Sequence, residues 1–338
     1  MKTYLQKVHY NKKNNIYLCI ILGFFSLFYR IVIEIKNYLY EKKILKSGKV
    51  NAKVICVGNI TTGGVGKSPL VCEIANYLAK DKKVAIISRG YGGQLDNKNV
   101  NLIKDYQRII ISDPILTGDE PYMIAKNTDK VVVLTCADRI KASDFAIKYL
   151  NASIIILDDG FSNRKIQKDL TLLLVDKEKQ FGNGNLLPLG PLREPIKEIK
   201  RADKIVLINK QATSVIIPDF QKPICECKFV KDKYYNSKTN QEVMPDKEKD
   251  VVAFCAIGQP QQFYNYLYDD FNVIKTKNFE DHHVYTKSEI EKLTEYSKTL
   301  ITTQKDEVKL VKIIKNMDIE LIVLKLKIEA DIKAILDE

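Results

Sequence analysis

From residue 50 onward, short and almost wholly apolar runs alternate with segments whose apolar residues recur at helical spacing. The short runs are residues 54–57, 84–88, 131–135, 154–157, 172–175 and 205–208. Nearly continuous Val, Ile and Leu marks strands covered on both faces, as in a parallel sheet with helices on each side. The pattern predicts a doubly wound α/β unit with ligand chemistry outside the carboxyl ends of its strands. Between residues 211 and 248 it weakens into polar, turn-rich sequence, read as a linker or a small β-ribbon. A second, smaller α/β set follows at 251–256, 272–274, 300–302 and 321–324. The expected division is 1–50, 51–210, 211–248 and 249–338, with a cleft between the two α/β units.

The first 50 residues follow another pattern. Residues 16–29 are apolar and aromatic, interrupted only by Gly23 and Ser26 before Arg30. Ile31-Val32-Ile33 resumes the run ahead of Glu34 and Lys36, and a basic tail of Lys42, Lys43, Lys46 and Lys49 follows. A free-standing span wants about 20 predominantly apolar residues, and this run is marginal for one. No small-residue cleavage pattern follows it, which argues against a secretory signal. The expectation is a helix lying in, or dipping into, a membrane interface, with its Lys and Arg on anionic headgroups.

Composition alters this picture little. A chain of 338 residues suffices for two cores, and 45% hydrophobic with 28% charged residues is ordinary for a globular protein. The net charge of +12 is spread as Lys over the whole length without basic and aromatic interleaving, so no nucleic-acid partner is expected. The seven cysteines lie mostly in apolar runs, as reduced cytoplasmic thiols do. Cys225-Glu226-Cys227 lacks the second pair that a zinc site needs.

The chemistry sits at the ends of the apolar runs. Residues 54–57 lead into Thr61-Thr62-Gly63-Gly64-Val65-Gly66-Lys67-Ser68 and then a helix-like segment, the order of a nucleotide phosphate site. Glycines let backbone N–H groups turn toward phosphate oxygens, and the helix N-terminus adds its positive dipole end. Lys67 is placed to reach the β- and γ-phosphates and the Ser68 hydroxyl to ligate Mg²⁺. Threonine at position 61 departs from the usual glycine.

The run 154–157 ends in Asp158-Asp159-Gly160. Carboxylates at such a strand tip hold magnesium in phosphate-loop proteins, and an adjacent pair repels unless a cation or donor stands between them. Gly118-Asp119-Glu120-Pro121 supplies another acid pair, although alone it reads as a helix start with Asp as cap. Ser88-Arg89-Gly90-Tyr91-Gly92-Gly93 is a glycine-rich strand end beside a cation. The Gly- and Pro-rich loop 181–195 carries Arg193, whose guanidinium suits bidentate phosphate contact. Asp281-His282-His283 holds two of the three histidines and is a cluster able to orient a base. A guanine-reading motif is not completed, because Asn209-Lys210 is followed by Ala212 where an aspartate is needed.

In this order the motifs resemble the tetraacyldisaccharide 4'-kinase family, from residue 51 to about residue 310. The resemblance runs through residues 58–69, 88–93, 118–121 and 181–195, and through Asp158-Asp159-Gly160-Phe161. It continues in Ala256-Ile257-Gly258, Asp281-His282-His283 and Thr302-Thr303-Gln304-Lys305-Asp306. Thr61 fits the family's loop, whereas Ser162-Asn163 replaces its usual Gln and His.

The resemblance implies a P-loop NTPase-like doubly wound sheet with a smaller C-terminal α/β domain and an N-terminal membrane-associated helix. It implies transfer of the ATP γ-phosphate to the 4'-hydroxyl of an acylated glucosamine disaccharide 1-phosphate, the lipid A precursor. Thr61, Thr62, Gly63, Gly64, Val65, Gly66, Lys67 and Ser68 would hold ATP, while Ser68, Glu120, Asp158 and Asp159 would arrange Mg²⁺. Asp119 would activate the hydroxyl with His282 as partner, His283 being the alternative one residue away. Lys67, Arg139 and Arg193 would neutralise phosphate charge. The helix would dock among inner-membrane lipids on the cytoplasmic face, and a monomer is expected.

Overall fold

The computed structural model describes residues 8–10, 16–209, 218–258, 260–280 and 283–337. Among them, thirteen strands join into one sheet. Its parallel centre places β1 (Lys53–Gly58) between β5 (Ile154–Asp158) and β6 (Leu170–Asp176). On the β5 side follow β2 (Val84–Ser88), β4 (Val131–Thr135) and the antiparallel edge strand β3 (Asn101–Lys104). On the β6 side, β7 (Lys204–Asn209) continues the parallel order. Strands β2, β4, β5 and β6 are buried along their whole length, which is why their sequences are continuously apolar. All six expected strands of this half are present.

Helices cover both faces, so the sheet is doubly wound. α2 (Lys67–Leu78), α4 (Asp119–Asn127) and α9 (Ile332–Leu336) pack Leu70, Ile74, Ile124 and Ile335 against Ile55, Val57, Ile86 and Val133. On the other face, α5 (Arg139–Leu150) sets Ala142 and Ala146 on Ala85, Val132 and Ile155. The chain reverses its direction of winding at β1, so the turn after Gly58 lies at the switch point where such sheets bind ligands.

The sheet continues through the segment read as a linker or ribbon. β8 (Ile224–Asn236) runs parallel to β7 and antiparallel to β13 (Glu320–Glu329), with the two-residue β9 (Glu242–Val243) folded back on it. From β13 the order passes to β12 (Thr299–Thr303), β10 (Asp246–Cys255) and β11 (Phe271–Asn278). α8 (Gln304–Ile314) ties this half to the first: buried Glu307 accepts from Tyr235 Oη at 2.6 Å, Ser237 Oγ at 2.8 Å and Lys126 Nζ at 2.9 Å. Lys126 belongs to α4, so α8 is fixed against the helix that begins at Asp119.

The expected N-terminal helix is α1 (Ile16–Glu41). Its burial is inverted relative to a core helix: Ser26 and Asn37 are buried, while Ile16, Ile20, Phe24, Phe28, Ile31 and Ile35 stand exposed.

Candidate active site

β1 ends at Gly58, and a glycine is required there because Phe161, just past β5, lies directly against it. A Cβ there would meet Phe161 Cβ at 2.7 Å. The loop that follows turns at Gly63 and Gly66, whose φ values of 105° and 103° lie in the left-handed region. Gly66 also faces the Phe229 ring of β8, which a Cβ would approach to 2.7 Å. α2 then starts at Lys67 with no side-chain cap, so its first-turn N–H groups remain available to an anion. Thr61, Val65 and Ser68 are buried, and Gly63 and Gly64 are exposed with open space around them.

Loop 181–195 forms a wall beside this turn. Thr62 N donates to Pro191 O at 2.7 Å and Arg193 N to Ile60 O at 2.7 Å, with a bridge between Thr61 and Leu192. Pinned in this way, Arg193 donates to both oxygens of Asp159, at 2.9 and 2.8 Å. Its second guanidinium nitrogen also reaches Asn59 O at 2.9 Å and Asn59 Oδ1. Lys67 Nζ donates to the same Asn59 Oδ1 at 3.0 Å and lies 3.7 Å from Asp159 Oδ1. Lys67, Asp159 and Arg193 are thus one cluster.

The two adjacent aspartates differ in kind. Burial opposes the charge on Asp159, but hydrogen bonds from Arg193 and the charges of Lys67, Arg193 and Arg139 outweigh it and lower its pKa to about 2. Asp158 is buried, and its Oδ1 has no hydrogen-bond partner among the described residues. Burial first, then the Glu120 and Asp159 carboxylates, pushes its pKa up to about 7 against the pull of Lys67 and Arg139. Arg139 is itself buried, and its guanidinium donates to Cys136 O. Burial lowers its pKa while the Asp158 charge opposes that shift.

Asp119 opens α4, but its expected role as helix cap is corrected: the cap position is Gly118, with φ 88°, and Asp119 is the first helical residue. An aspartate could not take Gly118's place, because a Cβ there would lie 2.7 Å from Tyr91 O. Loop 88–93 and the segment before Asp119 interlock: a Cβ on Gly93 would lie 2.5 Å from Leu116 O. From the other half, Lys309 of α8 brings Nζ to 3.5 Å from Asp119 Oδ2 and 3.8 Å from Asp306 Oδ1. Asp306 is held by Ala256 N at 3.0 Å and Thr303 Oγ1 at 2.8 Å. Two segments singled out in the sequence, 256–258 and 302–306, therefore converge on Asp119 through one lysine.

Asp281 and His282 lie outside the described residues. His283 Nε2 sits 3.1 Å from each oxygen of Glu289, and its ring stacks on Phe279 at 4.7 Å between centroids. Glu289 completes the capping box at the start of α7 (Lys287–Thr294), so His283 is committed to a local contact.

α1 docks on the same wall. Ser26 Oγ donates to Leu186 O at 2.9 Å, Tyr29 Oη to Arg193 O at 3.0 Å, and Asn37 Nδ2 to Glu194 Oε2 at 3.0 Å. Lys197 and Lys200 pair with Glu34 and Glu41 at 3.0 and 2.7 Å. A polar stripe attaches the helix and its apolar face is left outward.

A family model described as tetraacyldisaccharide-1-P 4'-kinase matches residues 18–338. The chain belongs to this family. The tetraacyldisaccharide 4'-kinase of Halothermothrix orenii is 34% identical over 316 residues, covering 86% of this chain and 82% of its own. That of Francisella tularensis subsp. novicida is 34% identical, covering 90% and 94%. A crystal structure of LpxK from Aquifex aeolicus in complex with ATP superposes with a TM-score of 0.77 at 33% identity, over 94% of this chain and 97% of that one.

Two residues of this kinase-family site escaped the sequence reading of individual side chains. Asn59 lies inside the quoted motif but carries no charge to draw attention, although it orders both Lys67 and Arg193. Lys309 stands three residues after Asp306 on one helix face, and only the packing of α8 on α4 brings it to Asp119.

Proposed function

We infer that the chain transfers the γ-phosphate of ATP to the 4'-hydroxyl of tetraacyldisaccharide 1-phosphate, the lipid A precursor. The observation that carries this reading is the double use of loop 181–195. The same loop walls the phosphate loop through Pro191 and Arg193 and anchors, through Leu186 and Glu194, a helix whose outward face is apolar. A polar donor and an acyl-bearing acceptor need such neighbouring surfaces.

Residues 61–68 bind the ATP phosphates, with Lys67 on the β- and γ-oxygens. Phosphoryl transfer calls for positioning and charge neutralisation more than covalent help. Lys67, Arg193 and Arg139 supply the positive charge. Lys67 and Arg193 are held by Asp159 and Asn59, which fixes both cations beside the phosphate loop. Asp119 accepts the proton of the attacking hydroxyl and His282 is its partner.

The donor set suits Mg²⁺. The partnerless Asp158 Oδ1 and the Ser68 hydroxyl are hard oxygen ligands, with Asp159 and Glu120 close enough to influence Asp158. No group of three His, Cys, Asp or Glu forms a metal cage among the described residues, as befits an ion that completes its shell with phosphate oxygens and water. Bound there, it would neutralise charge on the β- and γ-phosphates.

The helix sits on the bilayer rather than crossing it. From Ser26 to Glu41 its flank is tied to the protein, and the described helical residues 16–25 before it extend about 15 Å, half of a hydrocarbon core. The membrane is the inner one and the face cytoplasmic, where ATP and the reduced thiols belong.

The test is mass spectrometry of lipid extracts after incubation with Mg²⁺-ATP and tetraacyldisaccharide 1-phosphate. A product heavier by one phosphoryl group is expected, and Lys67→Ala should lower its formation at least about a hundredfold. ATP hydrolysis indifferent to the lipid, with no product, would refute the reading.

A further inference from the structure

Beneath the C-terminal end of α1 is a cavity of about 140 Å³, lined by Ser47, Phe161, Arg164, Lys168, Thr171 and Arg201. No phosphate-loop residue reaches it. At about 30 Å³ per water molecule it holds a few waters or one phosphoryl group.

Its walls carry unbalanced charge. Glu198 Oε2 lies 2.7 Å from Arg201 Nε, and Glu194 Oε2 lies 3.4 Å from Arg201 Nη2. Glu194 is shared with Lys36 at 3.3 Å. The lining includes three cations, Arg164, Lys168 and Arg201, and no carboxylate. The carboxylates beside it are Glu194 and Glu198 on Arg201, and Glu41, whose pKa Lys200 and then Arg164 help to lower. The remaining partners are neutral. Lys168 Nζ donates to Gly160 O at 2.7 Å and Phe161 O at 3.2 Å, and Arg164 to Asn37 O at 3.2 Å and Asn37 Oδ1 at 3.3 Å. Arg201 Nε and Nη2 are buried against the Glu198 and Glu194 carboxylates, and Nη1 donates to Phe161 O at 3.2 Å. Burial lowers the pKa of both Lys168 and Arg201; neighbouring cations add to the effect, while Cys56 at Lys168 and Glu194 and Glu198 at Arg201 oppose it. Buried charge in excess is costly unless an anion answers it.

We propose that this cavity binds a phosphoryl group, supplied by the headgroup of an anionic membrane lipid or by free phosphate. A guanidinium fork, an ammonium and the Thr171 hydroxyl match the several oxygens of a tetrahedral anion. The location favours the headgroup. Arg164 grips Asn37 and lies over the Tyr40 ring at 5.2 Å, on the same helix that exposes Ile31, Val32, Ile35 and Tyr38. A helix seated by that apolar face brings the cavity to headgroup depth. The inference stands apart from the kinase chemistry.

The experiment uses the full chain in nonionic micelles, with a non-hydrolysable ATP analogue saturating the phosphate loop so that added inorganic phosphate reports on a second site. Millimolar phosphate should raise the unfolding midpoint by about 2 °C, and Arg164→Gln should abolish that shift. Ser47→Asp places a carboxylate at the cavity wall; it should raise the midpoint without phosphate and remove the response, an outcome that a damaged fold does not give. Binding to phosphatidylglycerol vesicles that weakens about fivefold in both variants, with phosphatidylcholine binding unchanged, identifies the headgroup as source. A phosphate response with vesicle binding equal in all three proteins identifies free anion. Absence of any phosphate response, together with equal vesicle binding, overturns the proposal, as does destabilisation by Ser47→Asp.

Discussion

Replacing Phe24 and Phe28 together by Ser tests whether the outward face of α1 is what holds the protein on a bilayer. Phe24 is 71% and Phe28 66% exposed, and among the described residues the only aromatic ring contact of either is the edge-on one between Phe24 and Phe25 at 5.8 Å. Withdrawing a whole Phe side chain from water is worth about 1.5–3 kcal/mol, so two-thirds of it is worth ~1–2 kcal/mol at each position. The pair then forfeits ~2–4 kcal/mol of partitioning energy, a loss of roughly 30- to 700-fold in affinity for vesicles. Sedimentation with liposomes of inner-membrane composition measures this directly. ATP binding and the unfolding midpoint should stay at wild-type values, because the docking stripe of Ser26, Tyr29 and Asn37 is untouched. A change in partitioning below about threefold would refute the reasoning and move the membrane contact to another surface.

Lys309→Met removes the ammonium between Asp119 and Asp306, and should lower kcat roughly tenfold with ATP affinity unchanged and partial rescue by Arg. A change confined to KM for ATP would show that Lys309 serves nucleotide binding instead. Arg193→Lys keeps the charge but loses the fork on Asp159, so turnover should fall at least roughly tenfold; wild-type kcat would remove Arg193 from the chemistry. Asp158 has a folded-state pKa raised to about 7, above its unfolded value, so the folded protein binds the extra proton. Stability therefore declines as pH rises between about 4 and 7. Asp158→Asn abolishes that ionisation, and in nucleotide-free protein its gain in unfolding midpoint should be larger at pH 8 than at pH 5; equal gains would contradict the assignment.

Most of the strands legible in the sequence, β2, β4, β5 and β6 above all, were those buried on both faces, where burial forces every residue to be apolar. β8 escaped for the opposite reason. It carries Lys228, Lys231, Asp232 and Lys233 along a partly exposed surface, and its pairing with β13 is a long-range event no local pattern records. β3 escaped because four residues at a sheet edge give too little alternation to read. The site divides in the same way. Asp158 and Asp159 were visible because they follow an apolar run directly, where the sheet must present them, and Lys67 because it ends a glycine-rich loop between such a run and a helix. Arg193 was visible only as a cation in an unusual loop, and its place on Asp159 depends on backbone bonds that tie Thr62 to Pro191 and Arg193 to Ile60. His283, weighed as an alternative partner for Asp119, is held by Glu289, a contact between neighbours on the chain that a cluster of chemically plausible residues does not reveal.

The arrangement around loop 181–195 explains why membrane attachment and phosphate handling need not be coordinated by a moving part. Arg193 is fixed from three directions: its N–H by Ile60, its carbonyl by Tyr29 of α1, and its guanidinium by Asp159 and Asn59. The next residue, Glu194, is fully buried and is claimed by Asn37 and Lys36 of α1 and by Arg201. Two consecutive residues thus join the helix with the apolar outward face to Asp159 and Lys67 of the phosphate-loop cluster. Because Glu194 is buried, removing Asn37 or Lys36 leaves its charge less compensated, and the cost falls on the loop that positions Arg193. Substitutions on the docking stripe of α1 should therefore impair turnover even in a detergent-soluble assay, whereas those on its outward face should impair only partitioning. That separation of effects along one helix is the signature expected of a scaffold which sets the distance between bilayer and phosphate loop by rigid packing.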